Sequence, residues 1–68
     1  MEISARNKIK GTIEDITLGN VMAKVKINIG GGNVISSVVT VDSVAELSLK
    51  VGDTVYAIVK STEVMIGK

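Results

Sequence analysis

The 68-residue chain contains no cysteine, histidine, proline, tryptophan or phenylalanine, and only one tyrosine. Without Cys no disulfide can form, and without Cys or His the usual zinc ligand sets are missing. The same absences remove Cys–His and Ser–His–Asp arrangements and any imidazole for proton transfer near neutral pH, which argues against an enzyme. One aromatic provides no platform for base stacking. Eight Lys/Arg against seven Asp/Glu, a net charge of +1, provide no basic field of the kind nucleic-acid binders use. No apolar run approaches the ~20 residues of a membrane span. Met1-Glu2-Ile3-Ser4-Ala5-Arg6 has no apolar signal-peptide core, so the expected location is the cytoplasm.

Length sets a further bound. One domain, residues 1–68, is expected, and a chain of this size buries only about 60% of its unfolded surface. Small domains compensate with disulfides, a structural metal or self-association. Only self-association is left here.

What is present is β-branched. Val and Ile supply 20 of the 31 apolar residues and Leu only three; such side chains are stiff at χ1 and suit a pleated surface. Lys8 to Ile16 reads as a first strand, with Ile9 and Ile13 on one face and Lys8, Lys10, Thr12 and Glu14 on the other. Gly11 interrupts the apolar series and suggests a bend or close backbone approach. After a Gly19-Asn20 turn, Val21, Ala23, Val25, Ile27 and Ile29 alternate with polar residues in a second, half-buried strand. Gly30-Gly31-Gly32-Asn33 suits a hairpin that needs positive φ. No helix and no Lys-Ser/Thr follow it, which argues against a phosphate cradle.

Val34 to Val41 is a third strand, and Val38-Val39 breaks its alternation, consistent with burial on both faces. Asp42 to Leu47 reads as a short helix capped by Asp42, with Glu46 near the positive end of its dipole. Val55 to Val59 is a fourth strand and Glu63 to Ile66 a fifth. Five strands with a helix between the third and fourth predict an all-β, five-stranded OB-like Greek-key barrel. Closure would remove the exposed edges that make a Val/Ile-rich chain prone to aggregate.

Two polar clusters interrupt this pattern: Ser4-Ala5-Arg6-Asn7 before strand one, and Lys60-Ser61-Thr62 after strand four. Thr40, beside the helix start, is a third candidate. Arg6 offers a permanent cation with a planar fork of N–H donors, Lys60 a compact cation, and the hydroxyls further donors. Neither cluster contains a carboxylate. A donor-only site with two positive charges suits a fully deprotonated tetrahedral dianion such as sulfate, molybdate or tungstate. Hydrogenphosphate, which carries a proton, is better served by a site with an acceptor. By residue type alone, a solvated arginine and a plain polar turn are the commoner meaning of such segments.

Ser4-Ala5-Arg6-Asn7, Gly11 after Lys-x-Lys, the Gly-Gly-Asn turn, the stretch Val41 to Leu47 and the stretch Val59 to Met65 together closely resemble the molbindins (Mop proteins) over essentially the whole chain. That resemblance implies an OB-like barrel assembled as a homohexamer, a trimer of dimers, holding molybdate or tungstate at subunit interfaces for intracellular storage. It implies an oxyanion site of Ser4, Ala5 (through its N–H), Arg6, Thr40, Lys60 and Ser61, and a weaker second site at Gly19, Asn20 and Val21. No cofactor and no direct metal ligation by the protein are implied, the metal being held as its oxyanion. Two other classes fit less well. An OB-type nucleic-acid module lacks the aromatics and charge it needs. A biotinyl- or lipoyl-like carrier is suggested only by Glu63-Val64-Met65, after which Ile66 follows and Lys68 is not at a hairpin tip.

Overall fold

The period-two patterning becomes four strands in the computed structural model, which describes residues 6–68. They are β1 (Asn7–Leu18), β2 (Met22–Gly30), β3 (Asn33–Thr40) and β4 (Thr54–Val59). A six-residue helix, α1 (Val41–Glu46), separates β3 from β4, and a single 3-10 turn, Ser61–Glu63, follows β4. The strands form one antiparallel sheet in the order β3-β2-β1-β4. Among the described residues no helix is long and apolar enough to cross a membrane.

Strand β1 organises the sheet. Its first half, Asn7 to Thr12, pairs with β4, and its second half, Thr12 to Leu18, pairs with β2. Between Ile13 and Asp15 the register slips, so Glu14 is an extra residue in a bulge. A bulge bends a strand and flips its alternation, which explains why Ile9, Ile13 and Ile16 all join the core although Ile16 has the opposite parity. The curl gathers Ile13, Val25, Ile27 and Ala57 into the buried core, with Ile35, Val39, Val44 and Leu49 packed on its margin.

The curl also needs the backbones of β1 and β2 to approach closely at Gly11. A Cβ there would meet the Ile27 Cγ2 at 2.6 Å and the Asn28 carbonyl oxygen at 2.8 Å. The carbonyl belongs to the sheet and cannot step aside. Gly11→Ala is therefore expected to destabilise the protein by about 1–3 kcal/mol, the usual cost of overpacking. Thermal unfolding of the variant measures this, and an unchanged midpoint would contradict the crowding.

The structure departs from expectation in four places. The barrel is not closed by a fifth strand: after the 3-10 turn, the described residues from Val64 onward form no strand, and Met65 and Ile66 are 93% and 96% exposed. Strand structure needs a ladder partner, and this segment pairs with none of the four strands. The sheet is thus a curled four-stranded one, with β3 and β4 as its edges. Strand β3 is covered on one face only, since Val34 and Val38 are exposed and Val38 retains 65% of its surface. The helix is capped by Thr40, not Asp42. Thr40 Oγ1 accepts a hydrogen bond from the Ser43 N–H at 3.0 Å, while Asp42 lies inside the first turn. Glu46 consequently sits at the last helical position, the negative end of the dipole.

Candidate functional site

The antiparallel pairing of β1 with β4 brings the two polar clusters into one corner. Asn7 lies opposite Val59, and the next pair in that register, Arg6 and Lys60, lies just beyond the ladder. Arg6 is exposed where the chain enters β1, and Lys60 is exposed where β4 gives way to the 3-10 turn. That turn is closed by the Glu63 N–H donating to the Lys60 carbonyl at 2.9 Å, which holds Ser61 immediately beside Lys60. Arg6, Asn7, Lys8, Ile9, Ile35, Val59 and Val64 line an open hollow of about 560 Å³. Four of its lining residues are apolar, and Arg6 and Lys8 are the cations among them.

Among the described residues, the ladder side of the corner carries no carboxylate. Across the β1–β4 ladder the residues facing Asn7 to Thr12 are Val59, Ile58, Ala57, Tyr56, Val55 and Thr54, none of them acidic. Glu63, within the 3-10 turn, is the neighbouring carboxylate in sequence and is exposed. On its ladder side an anion at this corner would meet donors and positive charge, with Glu63 two residues beyond Ser61. Ser4 and Ala5, expected to complete the cluster, lie outside the described residues.

Thr40 does not join this corner within one chain. It pairs with Met22, one residue past the Leu18–Ala23 pair at the far end of β1. From Asn7 to Leu18 is roughly 35 Å of strand contour at the usual rise per residue. The Thr40 hydroxyl is also engaged locally, 2.8 Å from the Ser43 hydroxyl besides accepting from the Ser43 N–H. The Gly19-Asn20-Val21 connection lies at this same far end, tied to the helix start by the Val41 N–H donating to the Val21 carbonyl at 2.8 Å. The Gly19 N–H already donates to the Met22 carbonyl at 2.8 Å, so within that segment only Asn20 and Val21 have amides to offer an anion.

One feature of the corner was not singled out from sequence, namely the apolar lining formed by Ile9, Ile35, Val59 and Val64. The parity of Ile9 and Val59 on their strands could have indicated it. The contribution of Ile35 depends on the curl. Among the described residues no group of three or more His, Cys, Asp or Glu is placed to hold a metal ion.

A family model described as the TOBE domain matches residues 3–66. The chain is 55% identical over 67 residues to a probable molybdenum-pterin-binding protein of Haemophilus influenzae, covering 98% of this chain and 97% of that protein. Among solved structures, MopII from Clostridium pasteurianum superposes with a TM-score of 0.91 at 48% identity, covering 98% of this chain and 100% of the other. A molybdate-binding protein from Sporomusa ovata superposes with a TM-score of 0.92 at 44% identity over 100% of both chains.

Proposed function

The chain belongs to the TOBE-domain family of molybdenum-pterin-binding proteins, and on that premise we propose that it binds molybdate, or tungstate, as a tetrahedral dianion for intracellular storage. The observation that carries the site assignment is the β1–β4 register, which sets the Arg6 and Lys60-Ser61 segments side by side with no carboxylate opposite. Molybdate near neutral pH has four acceptor oxygens and no proton. A site made only of N–H, ammonium, guanidinium and hydroxyl donors matches it, and charge-assisted hydrogen bonds of this type are about twice as strong as neutral ones. The reading contains no catalytic step, and the relatives support oxyanion binding over a nucleic-acid role.

Magnitudes then favour an assembly over a lone chain. Exposed ion pairs contribute about 0–1 kcal/mol each. Arg6 and Lys60 are both exposed in the single chain, so together they fall well short of the ~8 kcal/mol that micromolar binding needs. Enclosing the corner against a second copy lowers the local dielectric, and each unit charge pair at about 4 Å then strengthens from ~1 toward ~4 kcal/mol. Thr40 supports the same conclusion. It can share an anion with Arg6 and Lys60 only if a second copy brings its opposite end to this corner.

The apolar surface is consistent with copies that pack together. Val34 and Val38 on edge strand β3, Tyr56 and Ile58 on edge strand β4, and the Val64–Ile66 segment are all exposed. Between the two edges, Ile35, Ser37, Ala57 and Val59 help to line a cleft of about 330 Å³. An extended apolar segment from another copy would close this seam. We extend the reading to a homohexamer arranged as a trimer of dimers, with Ser4, Ala5, Arg6, Thr40, Lys60 and Ser61 contributing to interfacial sites. Asn20 and Val21 are the remaining amide donors of the weaker site.

A thermal-shift series tests the ligand. A ligand at 100 times its Kd that binds only the native state stabilises by about 2.7 kcal/mol. For a domain of this size that raises the unfolding midpoint by roughly 10–20 °C. Molybdate and tungstate are expected to do so and phosphate to have little effect. An equal response to sulfate would refute selectivity, and no response to any of the four would refute the function.

A further inference from the structure

The outer face of β1 carries more positive charge than the proposed site uses. Ile9 packs against the core and Ile13 is buried within it, with Gly11 between them on the same parity. Lys8 and Lys10 have the other parity and are exposed, as is Arg6 immediately before the strand. Alternate residues of a strand are about 6.6 Å apart on one face, so Arg6, Lys8 and Lys10 form a row of three cations. Their cross-strand neighbours on β4, Ile58 beside Lys8 and Tyr56 beside Lys10, are uncharged. Lys60 lies at the head of the row, and the first carboxylate along it is Glu14, beyond Thr12 at the bulge. Lys10 also lines an open hollow of about 450 Å³ with Thr12, Glu14, Asn28 and Thr54, so its end of the row is open in the single chain.

We propose that Lys8 and Lys10 form an electrostatic track that gathers small dianions and delivers them to the Arg6–Lys60 corner, setting the association rate without touching the bound anion. This rests on the oxyanion-binding reading above and gives a kinetic role to Lys8, which lines the hollow at the corner, and to Lys10, which lies outside it. A row of like charge whose cross-strand neighbours are uncharged raises the local anion concentration, and such steering accelerates association by up to 10–1000-fold in strong cases. Screening divides the row. The Debye length is about 8 Å at 150 mM salt and about 30 Å at 10 mM. Lys8, about 7 Å along the strand from Arg6, acts under both conditions, whereas Lys10, about 13 Å away, acts only at low salt.

The test is rapid-filtration uptake of radiolabelled molybdate by the assembled protein at about 10 and 150 mM NaCl, the two screening regimes just distinguished. At low salt Lys8→Gln/Lys10→Gln is expected to lower kon by about three- to tenfold with koff unchanged. At high salt Lys8→Gln should retain a reduced effect and Lys10→Gln should match wild type. The paired variant Lys24→Gln/Lys26→Gln, on β2 opposite Thr17 and Asp15, should leave kon unchanged throughout. An unchanged kon at low salt overturns the track, as does a loss confined to koff, which would make these lysines direct contacts. A wild-type protein that binds molybdate while the variants behave like it leaves the oxyanion reading intact and removes only the track. A wild-type protein that takes up no molybdate overturns both.

Discussion

Arg6→Ala is expected to weaken molybdate binding by roughly 10- to 100-fold while leaving the strand content of the protein unchanged. The size follows from the bond type. A hydrogen bond to a charged group contributes about 1.5–3 kcal/mol, and each 1.4 kcal/mol is tenfold in Kd. The fold should survive because Arg6 is exposed and precedes the β1–β4 ladder, whose first pair is Asn7–Val59. Arg6→Lys separates charge from geometry. It keeps the cation but loses the planar fork that meets two oxygens at once, so an intermediate loss is expected. Lys60→Ala should resemble Arg6→Ala, and because both cations would face one anion, the double variant should show coupling rather than simple addition. Titration calorimetry on the four proteins measures all of this. Wild-type affinity in Arg6→Ala would remove Arg6 from the site.

The second large effect is expected at the other end of the chain. Met65 and Ile66 are almost wholly exposed in the single chain, and full burial of such side chains contributes about 1.5–3 kcal/mol each. If a second copy covers them, Met65→Asp/Ile66→Asp removes about 3–6 kcal/mol per chain from the assembled form and adds buried charge. The variant is expected to dissociate, to lose most molybdate binding, and to unfold at a lower, concentration-dependent temperature. Sedimentation velocity across a range of concentrations checks the mass. An unchanged mass and affinity would show that the segment lies outside every interface and that the site is complete without it. The contrast with Arg6→Ala is informative. One variant should lose the ligand and keep the assembly, whereas the other should lose both.

Much of the fold was legible from period-two patterning. The alternation of Ala23, Val25 and Ile27 placed all three in the core, and the glycines after β2 take the positive φ that a tight hairpin needs. Gly11 announced a close approach by its lack of a side chain in an otherwise apolar series, and the 2.6 Å clash of an added Cβ gives the reason. The helix start was read one or two residues late. Thr40 and Asp42 are both good caps by residue type, and only the backbone geometry at Thr40, with the Ser43 N–H aimed at its hydroxyl, distinguishes them. Of the proposed site, Arg6, Lys60 and Ser61 were legible as donor-rich interruptions. Thr40 was legible as a hydroxyl but not as a residue at the far end of the sheet.

By itself the sequence determined the class of fold, the turns and the chemistry of the corner. Residue type fixes what a side chain can donate, and parity along a strand fixes which face it presents. It also left no histidine, no cysteine and a single tyrosine, so the proposed site is one of donors. Only the tertiary structure decided which segments meet. The β1–β4 register brings Arg6 to Lys60 and leaves Thr40 at the opposite end, and the Val64–Ile66 segment lies outside the sheet of its own chain. The physical reason is that a period-two pattern records that a face is covered but not by what. An apolar strand reads the same whether its partner belongs to the same molecule or to the next.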